Sequence, residues 1–169
     1  MRSTQALSES RSHTPAGLVV LHDHVMLRTQ RRFQYVDLTE LVAERVRRWR
    51  IRDGFLNVQT HHTTTALFVN ENEPLLLQDL EALLERLAPR EAGYRHDDHA
   101  NRFPPVPADE RPNGHAHCRA LLLRTSETLN VVDSVVQLGR WQRILLLEMD
   151  GPQSRRLSLA ALGSRESRA

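Results

Sequence analysis

Hydrophobic and polar positions alternate with a period of two along several short stretches, and this pattern predicts β-strands. The stretches are residues 19–30, 33–36, 55–59, 66–69, 129–132, 135–138, 142–149 and 155–160. The last part of the stretch at 142–149, residues 144–149, is very apolar instead of alternating, which is typical of a buried strand.

After the second predicted strand, apolar residues recur with the helical period of 3.6, which predicts a helix. Apolar side chains fall on one face of this helix, at Leu38, Leu41, Val42, Val46 and Trp49. Either Asp37 or Thr39 can cap its first turn. Gly54 is a plausible stop signal after it.

A second helix is predicted between two prolines. Pro74 suits its first turn, and Pro89 ends it. The predicted buried stripe consists of Leu76, Leu80, Leu83, Leu84 and Leu87.

The remaining segments are less regular. Residues 90–113 form a long, polar, proline-rich connection, and connections of this length are often functional. Residues 115–123 fit either a helix or a strand. Because strands predominate without regular βαβ units, we predict an α+β fold. It would have a mainly antiparallel, sandwich-like sheet and two or three packed helices.

The length of 169 residues allows one domain with a substantial core. We place this domain at residues 18–162, between a flexible polar tail at 1–17 and a short polar tail at 163–169. The first tail has no apolar core of a secretory signal, so a cytoplasmic protein is expected. The single cysteine, Cys118, excludes an internal disulfide and is predicted to be a small buried residue.

The charged residues exclude some classes of function. The formal net charge is +2, and every basic residue is an arginine. The absence of lysine excludes Schiff-base and P-loop chemistry that depends on it. Arginine suits phosphate through its planar fork. Since the arginines are interleaved with acids and aromatic residues are scarce, nucleic acid is not expected as a partner. No apolar run is long enough to span a bilayer, so a membrane is not expected either.

Histidines are the leading candidates for chemistry. Most of the nine lie at 61–62, 96–99 and 115–117. A lone histidine is usually a surface or core residue, whereas one imidazole from each segment would form the three-histidine pattern of a catalytic zinc site. The local spacings match no standard zinc signature.

Polar residues near two strand ends form a second group. Glu148 and Asp150 end the most apolar predicted strand. They are either a solvated strand terminus or a general base or metal ligand at the mouth of a site, where they could act as a pair. Thr63 begins a run of hydroxyls that could bind an anion or simply favour a strand. Arg155 could bind phosphate or cover the sheet edge.

A series of short motifs resembles the YjbQ family over roughly residues 19–162. The motifs are His62-Thr63-Thr64, Asn70-Glu71-Asn72, Asp79-Leu80, Tyr94-Arg95-His96, Ala116-His117, Leu138-Gly139-Arg140-Trp141-Gln142 and Glu148-Met149-Asp150-Gly151-Pro152. Each motif alone is weak, but their order makes the resemblance strong. The family is often labelled secondary thiamine-phosphate synthase.

The resemblance implies a homotrimer with a cleft near a subunit interface. It also implies a divalent metal, with zinc as the first candidate, bound by His62, His96 and His117. The other matching positions are Glu71, Glu148 and Asp150 as catalytic residues, and Thr63, Asn70, Trp141, Gln142 and Arg155 as substrate-binding residues.

Two hypotheses for function follow. The first is a metal-dependent enzyme that acts on a small phosphorylated or anionic molecule, with weak thiamine-phosphate synthase activity. The alternative is a non-catalytic trimeric module that binds a metal or another ligand. An open coordination position would favour the enzyme, and a closed four-ligand site the module.

The chain departs from the family pattern at two positions. Arg140 stands where the family usually has threonine, and Gln153 stands where it usually has arginine. We predict that Arg140 compensates by pointing toward the same pocket as Glu148 and Arg155.

Overall fold

A computed structural model describes residues 5–12, 17–107 and 109–165. The strands are β1 (Gln5–Ser12), β2 (Leu18–Arg28), β3 (Gln34–Asp37), β4 (Ile51–Thr60), β5 (Thr65–Asn70), β6 (Ser126–Val132), β7 (Val135–Val136), β8 (Arg143–Glu148) and β9 (Ser154–Arg165). The helices are α1 (Thr39–Trp49), α2 (Pro74–Leu87) and α3 (Gly114–Leu121).

The strands form two antiparallel sheets. One sheet has six strands in the order β1-β2-β9-β4-β6-β7, and the other has three in the order β3-β8-β5. Three helices pack on these sheets, so the predicted α+β class is confirmed. In the part of the chain that the structure describes, no helix is both long enough and apolar enough to cross a membrane.

The main core joins the two sheets to α1. Trp49 from α1, Leu56 from β4, Leu146 from β8 and Leu159 from β9 belong to one buried cluster. Each such side chain contributes about 1.5–3 kcal/mol by leaving water. The alternating burial along β9 matches the period of two expected for a strand with one face in the core.

Strand β8 is buried on both faces. Ile144 and Leu146 belong to the main core, whereas Leu147 packs with Ala116 and Leu84 in a second cluster beneath α2 and α3. This arrangement explains why the run at 144–147 is entirely apolar. It also places the end of β8 in the interior of the protein.

Helix α1 ends earlier than Gly54. Arg50 adopts a left-handed conformation with φ of 56° and donates its backbone N–H to the carbonyl of Arg47. Gly54 instead lies within β4, where a Cβ atom would come 2.2 Å from the carbonyl oxygen of Leu162. The prediction of Gly54 as a stop signal is therefore wrong, because this glycine serves the close approach of two strands.

The leucine stripe of α2 is only partly buried. The predicted bounds of the helix are confirmed, but Leu84 is 6% exposed while Leu83 and Leu87 are 41% and 60% exposed. The prediction that the whole stripe is buried is wrong. Helix α2 therefore presents leucines to the surface.

Strand pairing extends toward both ends of the described chain, and α3 occupies the segment for which the sequence left two alternatives. Strand β1 pairs with β2 inside the predicted flexible tail, and β9 continues to Arg165, past the predicted end of the domain. The ambiguous segment near residue 115 is helical. Cys118 is exposed because it lies on the opposite side of α3 from buried Ala116 and Ala120.

Candidate functional site

A polar cleft of about 390 Å³ lies where the turn after β4 meets the turn after β8. We call it the histidine cleft. Its lining residues are His61, His62, Thr63, Thr64, Arg102, Glu110, Asn113, His117, Asp150, Gln153 and Arg155.

Strand register brings the walls of the histidine cleft together. Thr65 at the start of β5 pairs with Glu148 at the end of β8. The backbone N–H of Met149 donates to the carbonyl of Thr64 at 3.2 Å. The segment 61–64 is therefore held against the segment 149–153.

A buried ion pair forms the floor of this region. The Nε and Nη2 atoms of Arg155 donate to the two carboxylate oxygens of Glu148, each at 2.6 Å, and both side chains are almost completely buried. Glu148 also accepts from the Thr29 hydroxyl at 3.1 Å and from the backbone N–H of Asp150 at 2.8 Å. Glu148, predicted as a proton-transfer group, is instead committed to holding Arg155.

Arg155 has little donor capacity left. Nη2 donates to Thr64 Oγ1 at 3.1 Å, and Nη1 donates to Gln153 Oε1 at 3.2 Å. Of the five N–H groups of a guanidinium, one on Nη1 is left for a molecule in the cleft. Arg155 lines the cleft as predicted, but as a rigid donor rather than a free cation.

His62 lies in the cleft with one ring nitrogen already engaged. Its Nε2 accepts the backbone N–H of Arg156 at 2.8 Å. The neutral ring must then carry its proton on Nδ1. Burial, reinforced by the nearby Arg155 guanidinium, lowers the pKa of His62, so the ring is neutral at pH 7.

His96 and His117 meet edge to face, with ring centroids 4.5 Å apart. Nε2 of His96 is buried without a hydrogen-bond partner among the residues that the structure describes. Burial lowers the pKa of His117, and the adjacent His96 lowers it further. An unpaired imidazole nitrogen beside the ring of His117 suits a metal ion.

The three predicted metal ligands do not converge completely. His62 and His117 line the same cleft, and His96 touches His117. Nevertheless, no group of three histidine, cysteine, aspartate or glutamate side chains within residues 5–12, 17–107 and 109–165 is arranged to hold a metal. The donor set fits a metal at the His96–His117 pair, and Nε2 of His62 is occupied.

Asp150 is fixed by neighbours that the sequence did not single out as site residues. Its Oδ2 accepts from Asn113 Nδ2 at 3.0 Å and from Gln153 Nε2 at 3.2 Å. Arg111 donates to the backbone carbonyls of Asp150 and Gly151. The long connection at 90–113, flagged as functional by its length, supplies Asn113 and Arg111.

Other predicted residues lie at the far end of the three-stranded sheet. They are Asn70, Glu71, Trp141 and Gln142. Asn70 pairs with Arg143, five residue steps from the Thr65–Glu148 pair, which is about 16 Å at 3.3 Å per residue. One chain therefore does not bring these residues into its own histidine cleft.

The prediction for Arg140 is wrong. Its guanidinium lies 4.7 Å from the ring centroid of Trp141, and both residues are exposed. They precede β8, whereas Glu148 ends it. Because β8 is extended, Arg140 cannot share the pocket of Glu148 and Arg155 within the chain.

Comparisons with known proteins agree with this architecture. The model of the family described as UPF0047 protein YjbQ-like matches residues 23–164. A UPF0047 protein of Methanothermobacter thermautotrophicus is 39% identical over 137 residues, covering 81% of this chain and 88% of the relative. One of Archaeoglobus fulgidus is 40% identical over 136 residues, covering 80% and 97%.

Solved structures show the same fold. A YbjQ-like protein of unknown function from Sulfolobus solfataricus has a TM-score of 0.77 and 28% identity, covering 87% of this chain and 99% of the other. A hypothetical protein from Aeropyrum pernix has a TM-score of 0.74 and 33% identity, covering 85% and 98%. Because the family model matches most of this chain, the chain belongs to the YjbQ-like UPF0047 family.

Proposed function

We propose that the histidine cleft is the active site of an enzyme that acts on a small phosphorylated or otherwise anionic molecule. One observation carries this proposal: two imidazoles with lowered pKa values, His62 and His117, share a cavity with a buried, rigid guanidinium. Perturbed titratable groups gathered in a cleft are typical of active sites.

The residues divide into binding and proton-transfer roles. The spare N–H of Arg155 and the hydroxyl of Thr63 hold the anionic group. His62 donates from Nδ1, because Nε2 is fixed by the backbone of Arg156. His117, neutral at pH 7, accepts or returns a proton, and Asp150 holds the neighbouring Asn113 in place.

Thiamine-phosphate formation, in which a pyrimidine diphosphate is joined to a thiazole phosphate, is the reaction that the resemblance suggests. Both reactants carry phosphate, so both match the proposed binding role of Thr63 and Arg155. This reaction is therefore the first assay for turnover.

Replacing Thr63 by valine is expected to weaken binding of inorganic phosphate by about 10-fold, since one hydrogen bond to a charged group is lost. Isothermal titration calorimetry measures the change. Thr128→Val is the control, because Thr128 is an exposed threonine on β6, outside the cleft. The proposal is contradicted if the unmodified protein does not bind phosphate or if both variants bind it equally well.

As a second candidate function, we also propose that a divalent metal, zinc first, binds at His96 and His117, which makes His117 a ligand instead of the proton acceptor. His62 does not take part in this site, because its Nδ1 carries the proton while Nε2 accepts the backbone N–H of Arg156. The orphaned Nε2 of His96 supports this assignment. When bound, such an ion polarises an oxygen or activates water.

Metal content tests this proposal without an assay of turnover. Protein purified without a histidine tag is expected to carry about one zinc per chain, and His96→Ala and His117→Ala are expected to lose most of it. Elemental analysis gives the ratio. His22→Ala is the control, because His22 is exposed on β2. Equal zinc in all four proteins would refute the assignment.

A homotrimer is the assembly that we propose. Exposed leucines support association, namely Leu83 and Leu87 on α2 and Leu121 and Leu122 at the end of α3. Association would also offer a route by which Trp141 of one chain reaches the cleft of another. Light scattering at micromolar concentration is expected to give three times the chain mass of 19.4 kDa. A monomer mass would contradict the proposal.

A further inference from the structure

The histidine cleft contains a buried hydrogen-bond acceptor that has no donor. Asn113 is one of the residues that line the cleft, and it is 8% exposed. Its Oδ1 is buried without a hydrogen-bond partner among the described residues. Buried polar groups are nearly always paired in folded proteins, so an unpaired acceptor in a cleft indicates a donor that comes from outside.

The orientation of this acceptor is fixed. Nδ2 of Asn113 donates to Oδ2 of Asp150 at 3.0 Å. Turning the amide over would set Oδ1 against the carboxylate, with no proton between the two oxygens. The backbone is also anchored, because the N–H groups of Asn113 and Gly114 both donate to Asp97 Oδ1 at 2.9 Å.

A second acceptor lies beside the first. Oδ2 of Asp150 is occupied by Asn113 and Gln153, but Oδ1 has only Arg111 Nη2 at 3.6 Å. That distance is longer than a hydrogen bond. Asn113 Oδ1 and Asp150 Oδ1 therefore form a pair of acceptors, and the carboxylate of Asp150 also lies within ion-pair distance of Arg111.

Other residues that line the cleft supply donors, and the charges around the cleft are balanced. Arg155 is paired with Glu148, Arg102 with Glu110 at 3.2 Å, and Arg111 with Asp150 at 3.6 Å. Because each of these charges already has a partner of opposite sign, neither an anion alone nor a cation alone meets a strong net field. A molecule that carries both an anion and a cationic donor matches both the donors and the acceptors of the cleft.

We propose that the histidine cleft selects a small amino-bearing phosphate, whose ammonium group donates to Asn113 Oδ1 beside Asp150. Its phosphate binds at Thr63 and the spare N–H of Arg155. This inference rests on the proposed function and adds the chemical class of the substrate. Asn113 is then a specificity-determining residue.

Two probes of nearly equal shape test the inference. O-phosphoethanolamine carries an ammonium group where n-propyl phosphate carries a methyl group. The unmodified protein is expected to bind O-phosphoethanolamine about 10-fold more tightly in calorimetric titrations, because only this probe pairs the buried acceptor. Asn113→Leu is expected to remove the preference while n-propyl phosphate still binds. Asn57→Leu, the same substitution on β4 outside the cleft, is expected to retain it.

The outcomes separate this inference from the proposed function. Equal binding of the two probes by the unmodified protein would overturn the inference and leave the anion-binding role standing. A full preference retained by Asn113→Leu would overturn the assignment to Asn113. If neither probe nor inorganic phosphate binds, the proposed function fails together with the inference. The comparison of probes in the unmodified protein holds even if Asn113→Leu does not fold.

Discussion

Glu148→Ala is expected to lower the free energy of unfolding by about 3–5 kcal/mol, because it leaves the charge of Arg155 buried without a partner. Arg155 is 3% exposed and Glu148 is completely buried, so water cannot take the place of the lost carboxylate. The backbone N–H of Asp150 loses its acceptor as well, whereas the Thr29 hydroxyl keeps the carbonyl of Gln153.

Urea or thermal unfolding measures this loss of stability. In a chain of this size, each kcal/mol lost lowers Tm by about 2–4 °C. Glu91→Ala is the control, since Glu91 pairs with Arg90 at 4.0 Å on the surface and is expected to change stability by less than about 1 kcal/mol. The double variant Glu148→Leu with Arg155→Leu is expected to be more stable than Glu148→Ala, because no charge stays buried. Equal effects of Glu148→Ala and Glu91→Ala would contradict this account of the site.

Sequence patterns predicted much of the fold where each pattern depends only on residues within one helix or one strand. Pro74 and Pro89 bracket α2, and both act through the backbone of their own neighbourhood. The apolar run of β8 predicted a buried strand, and the structure shows that Ile144 and Leu147 are buried in two different clusters. Gly54 was misread because its close contact is with β9, more than a hundred residues away.

The candidate site depended more heavily on long-range pairing. The sequence indicated that Glu148 and Arg155 were important, but their mutual hydrogen bonds depend on a turn that folds Arg155 back over the end of β8. Asn113 had no signal of its own beyond its place in the long connection. Its role comes from Asp150, which holds its amide, and from Asp97, which holds its backbone.

The order of the motifs in the sequence also gave no sign that the candidate site residues lie at opposite ends of β8. Trp141 and Glu148 are close in the sequence, and both fall within motifs that resemble one family. A strand separates residues by about 3.3 Å per step, so close positions in sequence become opposite ends of a sheet. Only the register of β5 against β8 shows that the matching positions form two groups.

His117→Asn is expected to lower kcat for thiamine-phosphate formation by about 10²–10⁴-fold, because asparagine has a similar polarity but cannot take up a proton. Discontinuous assays of thiamine phosphate measure the rate. His22→Asn serves as the control, since His22 is exposed and lies outside the cleft. Phosphate binding without turnover in the unmodified protein would instead support the non-catalytic binding module.

The pH dependence of the same rate gives an independent test of His117. A proton acceptor works in its neutral form, so the rate is constant above its pKa and falls as the pH decreases through that value. Burial and the adjacent His96 lower the pKa of His117 below 6.5, so the acid limb of kcat/KM is expected below pH 6.5. His96→Gln removes one of the two causes and is expected to move that limb toward higher pH. An acid limb that is unchanged in His96→Gln would show that the titrating group is not His117.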